Sequence, residues 1–168
     1  MERESQNHTI APVYDEGSRV LILGSFPSVK SREAAFFYGH PQNRFWRVLA
    51  AVLGENVPQT VEEKKAMLLR HGVALWDVIA SCEIAGSSDA SITNVVPNDL
   101  SRILSAAPVR RIFCNGGTAQ RWYRRYDEAR WGKAVPLPST SPANARSSVD
   151  ALTAVWCAEL APWLLDQG

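Results

Sequence analysis

The sequence is poor in cysteine and has almost no net charge. Its three cysteines, Cys82, Cys114 and Cys157, lie far apart in 168 residues, with neither a CxxC pair nor Cys/His ligand spacing. That pattern excludes a zinc ribbon, an iron–sulfur cluster and a disulfide framework, and it fits a reduced, cytoplasmic protein with no bound metal. No apolar run approaches the ~20 residues of a membrane span. The opening "MERESQNHTIAPVYDEG" lacks an apolar signal core, so an unexported protein with no membrane partner is expected. Internal repeats and low-complexity segments are missing as well. "CNGGTA" has neither the GxGxxG pattern nor the GK[ST] ending of a phosphate loop, and glycines before a helix are commonly just a tight turn. No Ser-His-Asp arrangement is defensible, because His8, His40 and His71 fall in an arm, a loop and a helix end. Lys30 has no apolar shield that would depress its pKa for Schiff-base work. Non-covalent chemistry is expected.

What is present suits one domain with a sizeable core, since 46% of residues are apolar and 21% charged. Residues 1–17 read as a polar N-terminal arm and 18–168 as the domain. The net charge of +1 is unevenly spread, with seven Arg/Lys between Arg110 and Lys133 against Asp127 and Glu128. One face can therefore meet a polyanion. "RVLILGS" reads as a buried strand that turns at Gly24. "NRFWRVLAAVLG" and "VEEKKAMLLRHG" read as helices stopping at Gly54 and Gly72. "VALWDVI" and "VRRIFCNGG" are further buried strands, and "TAQRWYRRY" is a helix. "AVPLPST" is a fourth strand before a last helix from Ser148 to Leu165. The alternation predicts a single-domain, three-layer α/β/α sandwich around a mostly parallel four-stranded sheet. Ligands of such sheets gather beyond the strands' carboxyl ends, which here are "GSFPS", "WDVIASCEIAGSS", "CNGGTA" and "LPSTSPANAR".

Four features there carry chemistry. Between Gly24 and Trp46 stand Phe26, Phe36, Phe37, Tyr38, Phe45 and Trp46, which implies either a buried crossover or a pocket for a flat ligand. Asp77 ends an apolar strand and needs hydrogen bonds or a polar cavity. The loop Pro138–Arg146 holds more hydroxyls than a helix cap requires, so it reads as a cap or as a phosphate holder. Asn115 and Gly116 form a turn or a phosphate contact. The helix bearing Arg121, Arg124 and Arg125 is a solvated face or, beside the strand ends, a contact for a polyanion's backbone.

Taken together, "LGSFPS", "FYGHPQNRFW", "ALWDVIASC" with "GSSDASI", and "LPSTSPAN" resemble the uracil-DNA glycosylase superfamily over nearly the whole chain. Within it they resemble the hypoxanthine-DNA glycosylase (DNA-deoxyinosine glycosylase) family. The resemblance implies a monofunctional N-glycosylase without metal or organic cofactor, acting as a monomer on damaged DNA with a flipped, deaminated base. The superfamily's usual water-positioning Asn or Asp corresponds here to Phe26, which cannot serve. The resemblance moves that role to Asn43, although Asn43 also reads as a helix cap. It assigns the base pocket to Gly24, Ser25, Phe26, Tyr38, Phe45 and Asp77. Phe26, Tyr38 and Phe45 are the stacking candidates, and Phe36, Phe37 and Trp46 are core. Asp77 would accept from N1–H of hypoxanthine and repel the bare N1 of adenine. DNA contacts fall to Pro27, Ser28, Asn115, Ser139, Thr140, Ser141, Pro142, Ala143, Asn144 and Arg146. Two rivals remain open: the same chemistry on uracil or another modified base, and a non-catalytic nucleic-acid-binding domain of the same fold.

Overall fold

The run Val20–Leu23 is apolar at every position, so it can only lie where both faces of a sheet are covered. A computed structural model, describing residues 4–7, 10–85 and 89–164, places it there. Strand β1 is Glu4–Asn7, β2 Val20–Gly24, β3 Val73–Asp77, β4 Ile79–Ile84, β5 Thr93–Pro97, β6 Arg111–Asn115 and β7 Val135–Leu137. Strands β3, β2, β6 and β7 form, in that order, a four-stranded parallel sheet. All five residues of β2 and of β3 are buried.

The helices are α1 Val29–Ala34, α2 Phe45–Leu53, α3 Val61–Arg70, α4 Ser101–Leu104, α5 Gly117–Tyr126, α6 Glu128–Trp131 and α7 Val149–Leu164. Helix α2 buries Phe45, Trp46, Val48, Leu49, Val52 and Leu53, and it ends where Gly54 adopts φ 70°, a left-handed conformation that stops a helix cheaply in glycine. Helix α2 packs on α7, α3 against β3, and α5 against β6, which gives the expected α/β/α sandwich. Among the described residues no helix is long and apolar enough to cross a membrane. Leu165, the expected end of α7, and the Gly-Ser-Ser of "GSSDASI" lie outside the described residues.

A second sheet, antiparallel and ordered β1-β4-β5, was not expected. The run "VALWDVI" is not one strand: β3 stops at Asp77 and the chain turns into β4 at Ile79. Asn98 sews this corner by donating to the carbonyls of Asp77 (2.9 Å) and Ile79 (3.2 Å). Ahead of the parallel sheet, Ile10 and Val13 enter the core, and Val13 exchanges backbone hydrogen bonds with Leu75. From β2 the chain crosses one way to β3 and later returns on the other side as β6. A crevice must therefore open between the carboxyl ends of β2 and β6.

Candidate active site

The crevice is a cleft of about 650 Å³. Its floor comes from the strand ends, with Gly24 of β2 in register beside Asp77 of β3. Asp77 is 3% exposed. A Cβ at Gly24 would stand 2.3 Å from Asp77 Oδ1 and 2.9 Å from the Tyr38 hydroxyl. Glycine is therefore required so that both polar groups can approach the backbone.

Tyr38 sits in a left-handed conformation, φ 53°, a strained choice for an aromatic residue. Its ring stacks on Phe45, with centroids 4.0 Å apart and planes 14° from parallel. Its hydroxyl is buried without a hydrogen-bond partner among the described residues. Burial, reinforced by the negative charge of Asp77, raises the phenol's pKa. Asn115 lies close enough to oppose that shift, but the hydroxyl meets hydrogen-bond geometry with no neighbour. The phenol therefore stays protonated and has a proton to donate.

Asn43 precedes α2 and lines the cleft. Its Oδ1 accepts from the Phe45 N–H and from the Thr140 hydroxyl, both at 2.9 Å. The cap and the site readings of Asn43 thus coexist on one atom. Asn115 holds Thr140 in turn, donating from Nδ2 to Oγ1 (3.0 Å) and accepting from the Thr140 N–H at Oδ1 (3.1 Å). His40 stands beside them in the cleft wall, its Nδ1 accepting from the Gln42 N–H at 3.0 Å.

Arg44 secures the opposite lip. Its guanidinium donates to the carbonyls of Ser141 (2.7 Å), Asn144 (2.8 Å), Thr140 (3.4 Å) and Ser147. A cation at a helix N-terminus is unfavourable with the dipole, and four carbonyls supply the compensating negative ends. Arg44→Met, which keeps the stem, should lower stability by about 2 kcal/mol because charge-assisted bonds are lost and carbonyls stranded. In a thermal melt that is roughly 4–8 °C. Arg44→Lys should recover only part of it, since one ammonium cannot span the fork.

Most of the residues expected at the site do meet at this cleft: Gly24, Ser25, Phe26, Tyr38 and Asp77 from the base set, Asn43, and Pro27, Ser28, Ser139, Ser141, Pro142 and Ala143 from the DNA set. Five of the expected residues sit differently from the rest. Phe45 is fully buried, wedged among Tyr38, Trp46 and Trp156, so it backs the Tyr38 ring and cannot meet a base. Thr140 is 0% exposed and Asn115 spends both ends of its amide on it, so neither side chain is placed for a phosphate. The Asn144 side chain donates inward to the Ser139 carbonyl, 2.9 Å. Arg146 is exposed and lies outside the cleft lining. Phe36, Phe37 and Trp46 are buried. Phe26 is partly exposed and has the Arg32 guanidinium 5.6 Å from its ring centroid. Arg121, Arg124 and Arg125 are exposed, and Arg121 and Arg125 lie over aromatic rings of their own helix.

Sequence reasoning passed over Arg44 and Ser31, and it set His40 aside as a loop residue. The misplaced charge at a helix start was a usable signal for Arg44. Ser31, 2% exposed, accepts from the Gly39 N–H at 2.9 Å and so ties the Tyr38 loop to α1, a contact without a local signature.

A parallel α/β sandwich whose cleft opens at the strand ends, with Asp77, a neutral Tyr38 phenol and the braced Asn43 amide lining it, defines the class: an α/β fold with its candidate site beyond the carboxyl ends of the strands. The profile of the uracil DNA glycosylase superfamily matches residues 11–160, and the chain belongs to that superfamily. It is 36% identical to hypoxanthine DNA glycosylase of Methanosarcina acetivorans over 137 residues, covering 81% of this chain and 87% of the relative. The Methanosarcina barkeri hypoxanthine DNA glycosylase is 33% identical over the same shares. The solution NMR structure of a candidate uracil DNA glycosylase from M. acetivorans superposes with a TM-score of 0.75 at 34% identity, covering 89% of this chain and 95% of that one.

Proposed function

We infer that this chain is a DNA glycosylase that hydrolyses the N-glycosidic bond of deoxyinosine, releasing hypoxanthine and leaving an abasic site. The observation that carries the reading is the pair on the cleft floor, Asp77 Oδ1 and the Tyr38 hydroxyl, both crowding the space above Gly24. One accepts and the other donates, which complements the adjacent N1–H and O6 of hypoxanthine. Adenine presents the reverse order, an acceptor at N1 and a donor at N6, and leaves the carboxylate facing a lone pair. Rejection by a mispaired buried polar group is the strong kind of discrimination.

The base reaches this floor only after leaving the duplex stack, at a cost of a few kcal/mol that contact with a ring such as Phe26 offsets in part. The bond from C1′ to N9 then breaks with its electron pair going to the base. Positive charge develops on the sugar, and water adds to C1′, one of its protons ending on hypoxanthine. Asn43 holds that water, which needs placement more than activation because the base leaves first. The Ser139 and Ser141 hydroxyls already accept from the N–H groups of Ser141 and Ala143, and their own protons remain for phosphate oxygens. Together with Pro27, Ser28, Pro142 and Ala143, they form the DNA-facing rim. The enzyme acts as a monomer, and its free thiols fit a reducing cytoplasm.

Single-turnover assays on duplexes carrying one hypoxanthine, uracil or adenine test this. Hypoxanthine should be released at least about 10²-fold faster than adenine. Uracil offers a similar lactam edge, so faster uracil release would reassign the substrate within the same chemistry. Release of no base would leave a DNA-binding domain.

A further inference from the structure

We propose that Thr140 and Asn115 are positioning residues that act through Asn43, fixing its side-chain amide so that only the Nδ2 donor is offered to the cleft. The proposal rests on the glycosylase reading of Asn43 and adds a direction to it.

The direction follows from backbone groups whose polarity cannot be reversed. The Thr140 N–H can only donate, and it points at the Asn115 side chain at 3.1 Å, so the atom there must be Oδ1. Asn115 Nδ2 then faces Thr140 Oγ1 at 3.0 Å and donates to it. With one lone pair of Oγ1 taken, the hydroxyl proton is directed onward to Asn43 at 2.9 Å, and the receiving atom must be an oxygen. The Phe45 N–H, at 2.9 Å on the same atom, imposes that choice independently. Two fixed donors at the ends of the relay thus agree on one orientation, and no member can flip without leaving a buried group unpaired.

With both lone pairs of Oδ1 occupied, Asn43 has only Nδ2–H2 to offer, and among the described residues that group has no partner. It holds a water by one of the water's lone pairs and leaves the other directed at C1′. The two donors on Oδ1 also draw electron density from nitrogen, which strengthens its N–H bonds as donors. Thr140 does this from full burial. The segment carrying it is anchored by Arg44 next door and by the Trp156 indole N–H on the Pro138 carbonyl at 2.9 Å.

The test combines Thr140→Val, which keeps the shape and removes the hydroxyl, with Thr140→Ser as rescue. ¹⁵N relaxation of the Asn43 side-chain amide should show it rigid in the wild type and in Thr140→Ser and loosened in Thr140→Val. On a duplex with one deoxyinosine, Thr140→Val should release hypoxanthine about tenfold more slowly at saturation. The half-saturating protein concentration should be unchanged, and in an Asn43→Ala background Thr140→Val should add no further loss. An amide that stays rigid in Thr140→Val, or an equal loss in the Asn43→Ala background, overturns the relay. A shift confined to the half-saturating concentration does so too, and would make Thr140 a DNA contact. A loosened amide in a protein whose wild type releases no base upholds the relay and sinks the glycosylase reading instead.

Discussion

Asn43→Ala should slow hypoxanthine release by about 10²- to 10³-fold, the loss expected when a preorganised donor in a catalytic site is removed. The protein should remain folded. The truncation removes the cap on the Phe45 N–H and strands the Thr140 hydroxyl, a cost of about 1–2 kcal/mol set against a well-buried core. Asn43→Asp distinguishes two accounts of the residue. The carboxylate keeps both hydrogen bonds at Oδ1 but replaces the Nδ2 donor by an acceptor. If placement of water by donation is what matters, Asn43→Asp should be as slow as Asn43→Ala. A faster Asp variant would mean that the water is activated by a base. A folded Asn43→Ala protein at near wild-type rate would reduce Asn43 to a helix cap. Circular dichroism melts beside single-turnover rates decide among these outcomes.

Asp77→Asn should change base choice by more than it changes stability. An amide can turn its NH₂ toward N1 of adenine while the Tyr38 hydroxyl accepts from N6–H, so the arrangement that rejects adenine becomes one that admits it. The ratio of hypoxanthine to adenine release should fall by about 10²-fold or more. The corner around Asp77 should persist, because Asn98 grips the backbone carbonyl of Asp77 and not its carboxylate. If the carboxylate instead braces the fold, the variant should lose roughly 1–3 kcal/mol of stability and slow on every base in proportion. A destabilised variant with unchanged ratios would remove Asp77 from base reading.

The four parallel strands were legible because each is a nearly continuous apolar run ending in a turn signal. The antiparallel sheet was not, for the opposite reason. Strand β1 is Glu-Ser-Gln-Asn, and β5 is largely exposed and closes on Pro97, so neither shows the alternation that marks a half-buried strand. Asp77 stood out as a carboxylate ending an apolar strand and Tyr38 as one ring of the aromatic run from Gly24 to Trp46, whereas Asn43 was reached only through the family resemblance. The Thr140–Asn43 bond could not, since it joins positions 97 apart, and hydroxyls in a proline-rich loop look the same whether they face in or out. Phe45 was misread because composition gives an aromatic ring but not which side of it is covered. The Tyr38 ring lies between that buried phenylalanine and the cleft.

Arg44 grips the 140–147 loop by main-chain oxygens alone, so apart from Thr140, which donates its hydroxyl to Asn43, this grip does not depend on which side chains the loop carries. Pro142, Ala143, Ala145 and Arg146 are exposed. The segment is therefore a frame with interchangeable inserts. Selection or a combinatorial library can rewrite those four side chains, retuning how firmly the rim holds a duplex and which distortions it tolerates, while the clamp underneath stays intact.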